Sequence, residues 1–171
     1  MARKSAQVET RMVSEYLLKY YAAYPTRTGV PLGSVDEKLM ATAGYQKALN
    51  MSRPYRPEVD AIVILPRYLV LIEAKVWNVV NGLAKLPLYK ALVPTTPELK
   101  EYREREIIME LVVGWTSTNL ETMAAAAGVA VKVYDPPWLD DVVKRMHNYW
   151  TKDYQAERQR VLETRRSFGL E

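Results

Sequence analysis

Between Pro57 and Lys75 the chain reads PEVDAIVILPRYLVLIEAK. Two runs of β-branched and other apolar residues flank Pro66-Arg67, which is typical of two antiparallel strands joined by a turn. Neither run alternates between polar and apolar residues, so we expect both faces of these strands to be covered by the rest of the protein. This segment therefore predicts the centre of a sheet.

The pairing of the two strands has a chemical consequence. A turn centred on Pro66 and Arg67 places Asp60 directly opposite Glu73. Side chains opposed in this way have Cβ atoms about 4.5–5.5 Å apart, and like charges at that distance destabilise a sheet, so the pair requires a cation. Alternation along the second strand puts Lys75 on the same face as Glu73. A register slip of one residue would instead put the two carboxylates on opposite faces.

The N-terminal part of the chain carries a further unusual carboxylate. Apolar residues recur at helical spacing over residues 5–24, ahead of Pro25. Glu9 falls in the middle of the apolar face of this helix, where a carboxylate is costly unless it is paired or lies near a metal. Glu9 is therefore a candidate functional residue, and an ion pair with an arginine is the structural alternative.

Periodicity and turn residues predict the other elements. We expect helices at 35–50, where Ser34 and Glu37 have the spacing of a capping box, and at 76–93, 118–128 and 138–168. Strands are expected at 107–115 and 129–134, extended chain at 53–57 and loops at 25–34 and 94–106. This order predicts an α/β domain with a mixed sheet at residues 1–137, and a C-terminal helical extension at 138–171 that packs on the same domain or on a partner.

Composition excludes several classes of site. The 171 residues fit one domain with an appended element, and the absence of cysteine excludes disulfides, thiolate zinc sites and iron–sulfur clusters. His147 is the single histidine, the formal net charge is +4, and no GxxxxGK loop is present, so we expect no nucleotide cofactor. The first residues lack an apolar signal core and no run is long enough to span a bilayer, so we expect a cytoplasmic protein without membrane partners.

Three segments resemble a known family. Pro57-Glu-Val-Asp60 and Glu73-Ala-Lys75 resemble the motifs of the PD-(D/E)XK, or restriction-endonuclease-like, nuclease superfamily, and Lys4-Ser-Ala-Gln-Val-Glu9 is similar to the start of archaeal Holliday-junction resolvases. The resemblance implies an αβββαβ core and a Mg²⁺-dependent DNA nuclease, with Mn²⁺ as a substitute ion. The chain departs from the resolvases in its longer segment before Pro57 and in its C-terminal helix. Tyr89 fits the motif of RecB-type members, whereas Lys85 stands where those members carry a glutamine.

The resemblance also implies roles for individual residues. The implied catalytic residues are Glu9, Asp60, Glu73 and Lys75. Asp60, Glu73, the backbone carbonyl of Ala74 and Glu9 would bind the metal through oxygen ligands, and Lys75 would orient the attacking water or stabilise developing charge. Residues next to these motifs would contact the phosphate backbone, namely Arg3, Lys4, Arg53, Tyr55, Arg56 and Lys85.

Three functions stay open at this point. The first is a DNA nuclease acting on branched or junction DNA in recombination or replication, as a homodimer or a larger assembly formed through the C-terminal helix. The second is a nuclease-like nucleic-acid-binding or assembly component, for example of a virus particle and then located in the virion, with little or no cleavage. The long C-terminal helix favours this alternative. The third is a nuclease subunit that requires a partner protein.

Overall fold

The computed structural model describes the backbone of residues 2–146 and 152–168, and the side chains of residues 7–144, 156 and 158–168. The chain divides into two compact units, Met1–Tyr134 and Asp135–Glu171. The division lies close to the boundary that the sequence predicts after residue 137.

The first unit contains both helices and strands. Its elements are α1 (Ala2–Tyr20), β1 (Thr26–Pro31), α2 (Glu37–Ala43), α3 (Tyr45–Ser52), β2 (Glu58–Ile64), β3 (Tyr68–Lys75), α4 (Val79–Leu92), β4 (Glu106–Val113), α5 (Thr118–Ala126) and β5 (Ala130–Val133). Short 3-10 helices lie in the connections at Arg53–Tyr55, Val93–Thr95 and Pro97–Tyr102.

The strands form one five-stranded sheet in the order β1-β2-β3-β4-β5. β1, β2 and β3 are antiparallel to one another, whereas β3, β4 and β5 run parallel. The parallel steps are made by α4 and α5, because parallel neighbours need a crossover connection. The predicted α/β class with a mixed sheet flanked by helices is confirmed.

The register of the central hairpin follows the turn at Pro66-Arg67. Ala61 pairs with Ile72 and Ile62 with Leu71, and the backbone N–H of Leu65 donates to Tyr68 O at 3.0 Å. Continued by one step, this register sets Asp60 beside Glu73. The alternative register, slipped by one residue, does not occur.

Helices cover both faces of the sheet. Gly82 of α4 approaches the side chains of Glu73 and Leu111, which share one face because they are paired in parallel register. On the opposite face Tyr16 of α1 donates a hydrogen bond to Glu110 of β4. The strands are buried between these helices, which explains why β2 and β3 show no polar alternation.

The structure has a strand where the sequence predicts a loop at 25–34. Thr26–Pro31 forms β1, which pairs with β2 at the edge of the sheet. Gly29 and Pro31 interrupt the apolar pattern, but proline is tolerated on an edge strand, where its missing N–H breaks no ladder bond. The signal for this strand therefore lies in its pairing partner and not in its own residues.

The single helix predicted at 35–50 is also wrong, because two helices occupy the region. Gly44 separates α2 from α3 and adopts a φ of 80°, a conformation that glycine accepts without steric cost. Asp36 caps α2 by accepting hydrogen bonds from the backbone N–H groups of Lys38 and Leu39. The predicted cap at Ser34 is incorrect, since the carboxylate two residues later occupies that position.

The extended chain predicted at 53–57 is correct only in its second half. Arg53–Tyr55 forms a 3-10 turn, with proline at its beginning, where a missing N–H leaves no hydrogen bond unmade. Arg56 is extended, as expected for a residue that precedes proline, and leads into β2. The predicted loop at 94–106 contains the 3-10 helix Pro97–Tyr102.

The second unit is helical. It contains α6 (Pro137–Met146) and α7 (Lys152–Ser167), and these lie in the region 138–168 that the sequence predicts to be helical. The described side chains of α7 are exposed, except that Leu162 is half-buried. His147 lies outside the described residues. Among the described helices, none combines the length and apolar character that crossing a bilayer demands.

Candidate active site

Three carboxylates from three elements surround one lysine at the end of β3. Lys75 Nζ lies 3.1 Å from Glu9 Oε2 of α1, 3.1 Å from Glu73 Oε1 of β3 and 3.8 Å from Asp60 Oδ2 of β2. The Lys75 side chain is 12 % exposed. The structure thus brings together the four residues that the sequence singles out.

The backbone at the end of β3 holds these side chains in place. Asp60 Oδ2 accepts a hydrogen bond from the N–H of Ala74 at 2.9 Å, and Glu9 Oε1 accepts one from the N–H of Val76 at 3.4 Å. Lys75 Nζ donates to the carbonyl oxygen of Ala74 at 2.8 Å. The site therefore depends on the last residues of β3, which still pair with β4 but lie beyond the residues that pair with β2, so their backbone groups on that side are available to side chains.

Glu73 is the most deeply buried member of the cluster. Its side chain is 1 % exposed, and Oε2 has no hydrogen-bond partner among the described residues. Burial and the charge of Asp60 raise the pKa of Glu73, although the ammonium groups of Lys75 and Lys85 act in the opposite direction. Keeping Glu73 ionised without a further cation therefore costs free energy.

Lys75 remains charged because of its carboxylate neighbours. Burial favours the neutral amine, but the charges of Glu73, Asp60 and Glu9 outweigh burial and raise the pKa of Lys75 above its ordinary value. At neutral pH the ammonium is therefore protonated, and it forms close ion pairs with Glu9 and Glu73 while Asp60 Oδ2 lies 3.8 Å away. In this arrangement it acts as the cation that the opposed pair Asp60 and Glu73 requires.

The cluster has the donor chemistry of a divalent-cation site. Within the part of the chain that the structure describes, no three histidine, cysteine, aspartate or glutamate side chains are arranged around a common metal position. The ammonium of Lys75 lies between the carboxylates instead. Even so, the unpartnered Oε2 of Glu73 and the partly exposed carboxylate of Asp60 are oxygen ligands of the type that Mg²⁺ prefers. These residues could hold such an ion only if the Lys75 ammonium moved away from them, because the ammonium and the metal ion repel each other.

Two residues of α4 complete the surroundings of the cluster. A Cβ atom on Gly82 would lie 2.5 Å from Lys75 Cγ, so only glycine leaves room for the lysine. Tyr89 is buried, and both its burial and the charges of Glu73 and Asp60 raise the pKa of its hydroxyl. Asn78, just before α4, is the one non-glycine residue with positive φ among the described residues. Sequence reasoning missed Gly82, because a single glycine gives no signal without its neighbours in space.

The predicted backbone-binding residues have different placements. Arg53 is half-exposed and pairs with Glu58 at 2.7 Å, while Tyr55 is 89 % exposed. Lys85 belongs to the carboxylate cluster itself, since its Nζ lies 3.4 Å from Glu73 Oε1. The side chains of Arg3 and Lys4, near the start of α1, lie outside the described residues.

The placement of Arg56 does not support the predicted contact with nucleic acid. Its side chain is 4 % exposed, and its two terminal nitrogens each lie 2.7 Å from a carboxylate oxygen of Glu98. One of them also donates to the carbonyl oxygen of Pro31. A phosphate would have to replace a buried bidentate ion pair, so Arg56 has a structural role.

A cleft of about 310 Å³ adjoins the cluster at Asp60. It lies between α1, which contributes Thr10 and Ser14, and the paired strands β1 and β2, which contribute Thr28 and Glu58. Asp60, which reaches this cleft, is also the most exposed of the three carboxylates. The cleft gives the carboxylate cluster access to a ligand from one side.

Comparison with known proteins gives little further information. No family model matches the chain, and no curated protein is significantly similar to it. Among solved structures, the chain is similar to the crystal structure of a protein of unknown function, AF1548, with 13 % identity and a TM-score of 0.44. The similarity covers 75 % of this chain, and the chain spans 58 % of the length of AF1548. A similarity of this degree does not indicate a function.

Proposed function

We propose that this protein is a metal-dependent nuclease that hydrolyses phosphodiester bonds in DNA at a site of the PD-(D/E)XK type. The observation that carries the proposal is the meeting of Glu9, Asp60 and Glu73 around Lys75, because Glu9 and Lys75 are 66 residues apart in sequence. A cluster of three carboxylates and one lysine at a strand end, beside a cleft, offers oxygen ligands for a metal ion and a positive charge for the phosphate, which suits metal-assisted hydrolysis.

The order of elements supports a restriction-endonuclease-like core. The helix α1, the strands β1 to β3, the helix α4 and the strand β4 follow the αβββαβ order that the family resemblance implies. The two helices α2 and α3 are inserted between β1 and β2. This insertion accounts for the long segment before Pro57, and it leaves the order of the other core elements unchanged.

Asp60, Glu73 and the carbonyl oxygen of Ala74 would hold the metal ion, with Glu9 completing its surroundings. When bound, Mg²⁺ or Mn²⁺ would supply positive charge against the phosphate and lower the pKa of a water molecule. Lys75 would then leave the carboxylates and donate hydrogen bonds to a phosphate oxygen or to the attacking water. Lys85, which is 43 % exposed, would contribute a second positive charge near the phosphate.

The test is a cleavage assay combined with metal titration. Native protein, Lys75→Ala and Asp60→Asn are incubated with linear, flapped and four-way DNA in Mg²⁺ and in Mn²⁺, and calorimetry measures Mn²⁺ binding to each protein. We expect Lys75→Ala to lose cleavage but to bind Mn²⁺ at least as tightly, because the competing ammonium is gone. Asp60→Asn should lose both properties, and Lys100→Ala, which removes an exposed lysine, serves as control. Cleavage by Lys75→Ala at the native rate would reject the assignment of Lys75.

A second candidate is a nuclease-like nucleic-acid-binding or assembly component. The ion pairs of Lys75 with Glu9 and Glu73 favour it, because an ammonium that already compensates the carboxylates can act as a structural link between α1 and the sheet. This candidate predicts no Mn²⁺ binding and no cleavage of any of the three DNA forms. The same assay therefore separates the two functions.

A further inference from the structure

A second buried carboxylate lies away from the carboxylate cluster, in the middle of the sheet. Glu110 of β4 is 5 % exposed and pairs in register with Ile72 on one side and Ala130 on the other. Its position in a strand that otherwise reads as apolar is costly unless the charge is satisfied. The proposed nuclease chemistry does not use this residue.

Two tyrosine hydroxyls satisfy the oxygen atoms of Glu110. Tyr16 donates to Oε2 at 3.0 Å and Tyr21 donates to Oε1 at 2.9 Å. Burial and the charge of Glu110 raise the pKa of both tyrosines, so both hydroxyls remain donors. Lys132 Nζ lies 3.8 Å from Oε1, which is too long for a hydrogen bond. The carboxylate thus has two neutral donors and a cation that is near but not bound.

A cavity of about 410 Å³ opens beside this carboxylate, within the size range of small-ligand sites. The rings of Tyr16, Tyr20 and Tyr21 form one wall, and Lys132 with the backbone of the edge strand β5 at Val131 and Val133 forms the opposite one. Tyr20 and Val133 are about half exposed, so the walls reach the surface. We call this cavity the tyrosine–glutamate pocket.

The tyrosine rings around this pocket already attract a cation. Lys19 Nζ lies 5.1 Å from the centre of the Tyr20 ring and 5.6 Å from that of Tyr134. The centres of the Tyr16 and Tyr20 rings lie 4.8 Å apart with their planes tilted by 49°, so the two rings pack against each other. Aromatic faces and a carboxylate together favour a positively charged group with an apolar body.

We propose that the tyrosine–glutamate pocket binds an alkylammonium group, either of a free amine or of a lysine side chain in a peptide. The ammonium lies at Glu110, and the methylene chain runs along the tyrosine rings. Lys132, whose side chain is 45 % exposed, moves into solvent to admit the ligand. A formal net charge of +4 disfavours general attraction of cations to this chain, so binding depends on the local carboxylate.

The experiment uses n-butylammonium as the probe and 1-butanol as a neutral control of the same size. Binding is followed by calorimetry and by NMR shifts for the native chain, Glu110→Gln and Lys132→Ala. Since a hydrogen bond to a charged group contributes about 1.5–3 kcal/mol, Glu110→Gln should weaken butylammonium binding by roughly tenfold or more. Lys132→Ala should tighten it, because the competing ammonium is absent, and 1-butanol should not distinguish the three proteins.

Two further arms complete the test. A short acetylated peptide with one lysine, compared with the same peptide carrying norleucine, separates the two sources of the ammonium group. Tighter binding of the lysine peptide than of butylammonium assigns the pocket to a partner protein, and equal binding assigns it to free amines. Equal binding of butylammonium by native protein and a folded Glu110→Gln, or no binding even by Lys132→Ala, would overturn the proposal. Because Lys132 is half-exposed, its variant tests the pocket even if Glu110→Gln does not fold.

Discussion

Glu73 is the residue whose ionisation conflicts most with its surroundings. Burial and the charge of Asp60 raise its pKa, so the folded protein binds the proton more tightly than the unfolded chain does. The stability contributed by the protonated form is therefore fully present below the ordinary pKa of a glutamate and is lost as the pH rises through the raised pKa. Such a cost is expected of the metal site that we propose, because functional sites often reduce stability.

Replacing Glu73 by glutamine should remove this pH dependence. We expect Glu73→Gln to melt at a higher temperature than native protein at pH 8 without metal, and at nearly the same temperature at pH 4. Thermal unfolding between these values measures the difference, and Glu106→Gln, at the exposed start of β4, provides a matched control. A Glu73→Gln protein that is less stable than native at pH 8 would contradict the account of this residue.

The close contact between Gly82 and Lys75 leads to a second prediction for a single residue. A methyl group at this position would overlap Lys75 Cγ and lie 3.2 Å from Leu111 Cδ1. Overpacking of this kind costs about 1–3 kcal/mol, partly offset by the gain of about 1 kcal/mol when alanine replaces a helical glycine. Gly82→Ala should therefore be destabilised in urea unfolding and lose cleavage, whereas its exposed neighbour Asn81→Ala should not. Full activity and native stability of Gly82→Ala would contradict this prediction, because they would mean that Lys75 moves aside at no cost.

For the helices and strands, the sequence predicted those features that depend on residues close together in the chain. The hairpin register followed from the turn at Pro66-Arg67, and it placed Asp60 and Glu73 together. The strand β1 could not be predicted, since its residues are ordinary for a loop and its structure comes from pairing with β2. The placement of Arg56 also depended on a distant partner, Glu98, which sequence spacing does not reveal.

The cap of α2 tests one of these corrections. Asp36 accepts two backbone hydrogen bonds at the start of the helix, and removing such a cap costs about 1 kcal/mol. Asp36→Ala should lower the free energy of unfolding by that amount in urea titration. Ser34→Ala should leave it unchanged, although the sequence predicts a cap at Ser34. If Ser34→Ala lowered the free energy of unfolding and Asp36→Ala did not, the cap would be Ser34, as the sequence predicts.

In the molecule as a whole, the candidate site could be predicted because its charged residues stand out within apolar helices and strands. Glu9 stood out on an apolar helix face, and Asp60, Glu73 and Lys75 stood out at the ends of apolar strands. The sequence could not show that Lys75 lies between the carboxylates, or that Lys85 joins them, because both depend on packing between α4 and the sheet. For the same reason the tyrosine–glutamate pocket became visible only in three dimensions.

The central claim is that the three carboxylates form a site for a divalent cation, and metal-dependent melting tests it most directly. Ligands that bind only the folded state stabilise it by an amount that grows with the logarithm of their concentration relative to Kd, and so raise the melting temperature. Native protein, Asp60→Asn and the control Glu106→Gln are melted with and without Mn²⁺. We predict that Mn²⁺ raises the melting temperature of native protein and of Glu106→Gln but not of Asp60→Asn. No shift in native protein, or an equal shift in all three, would contradict the claim.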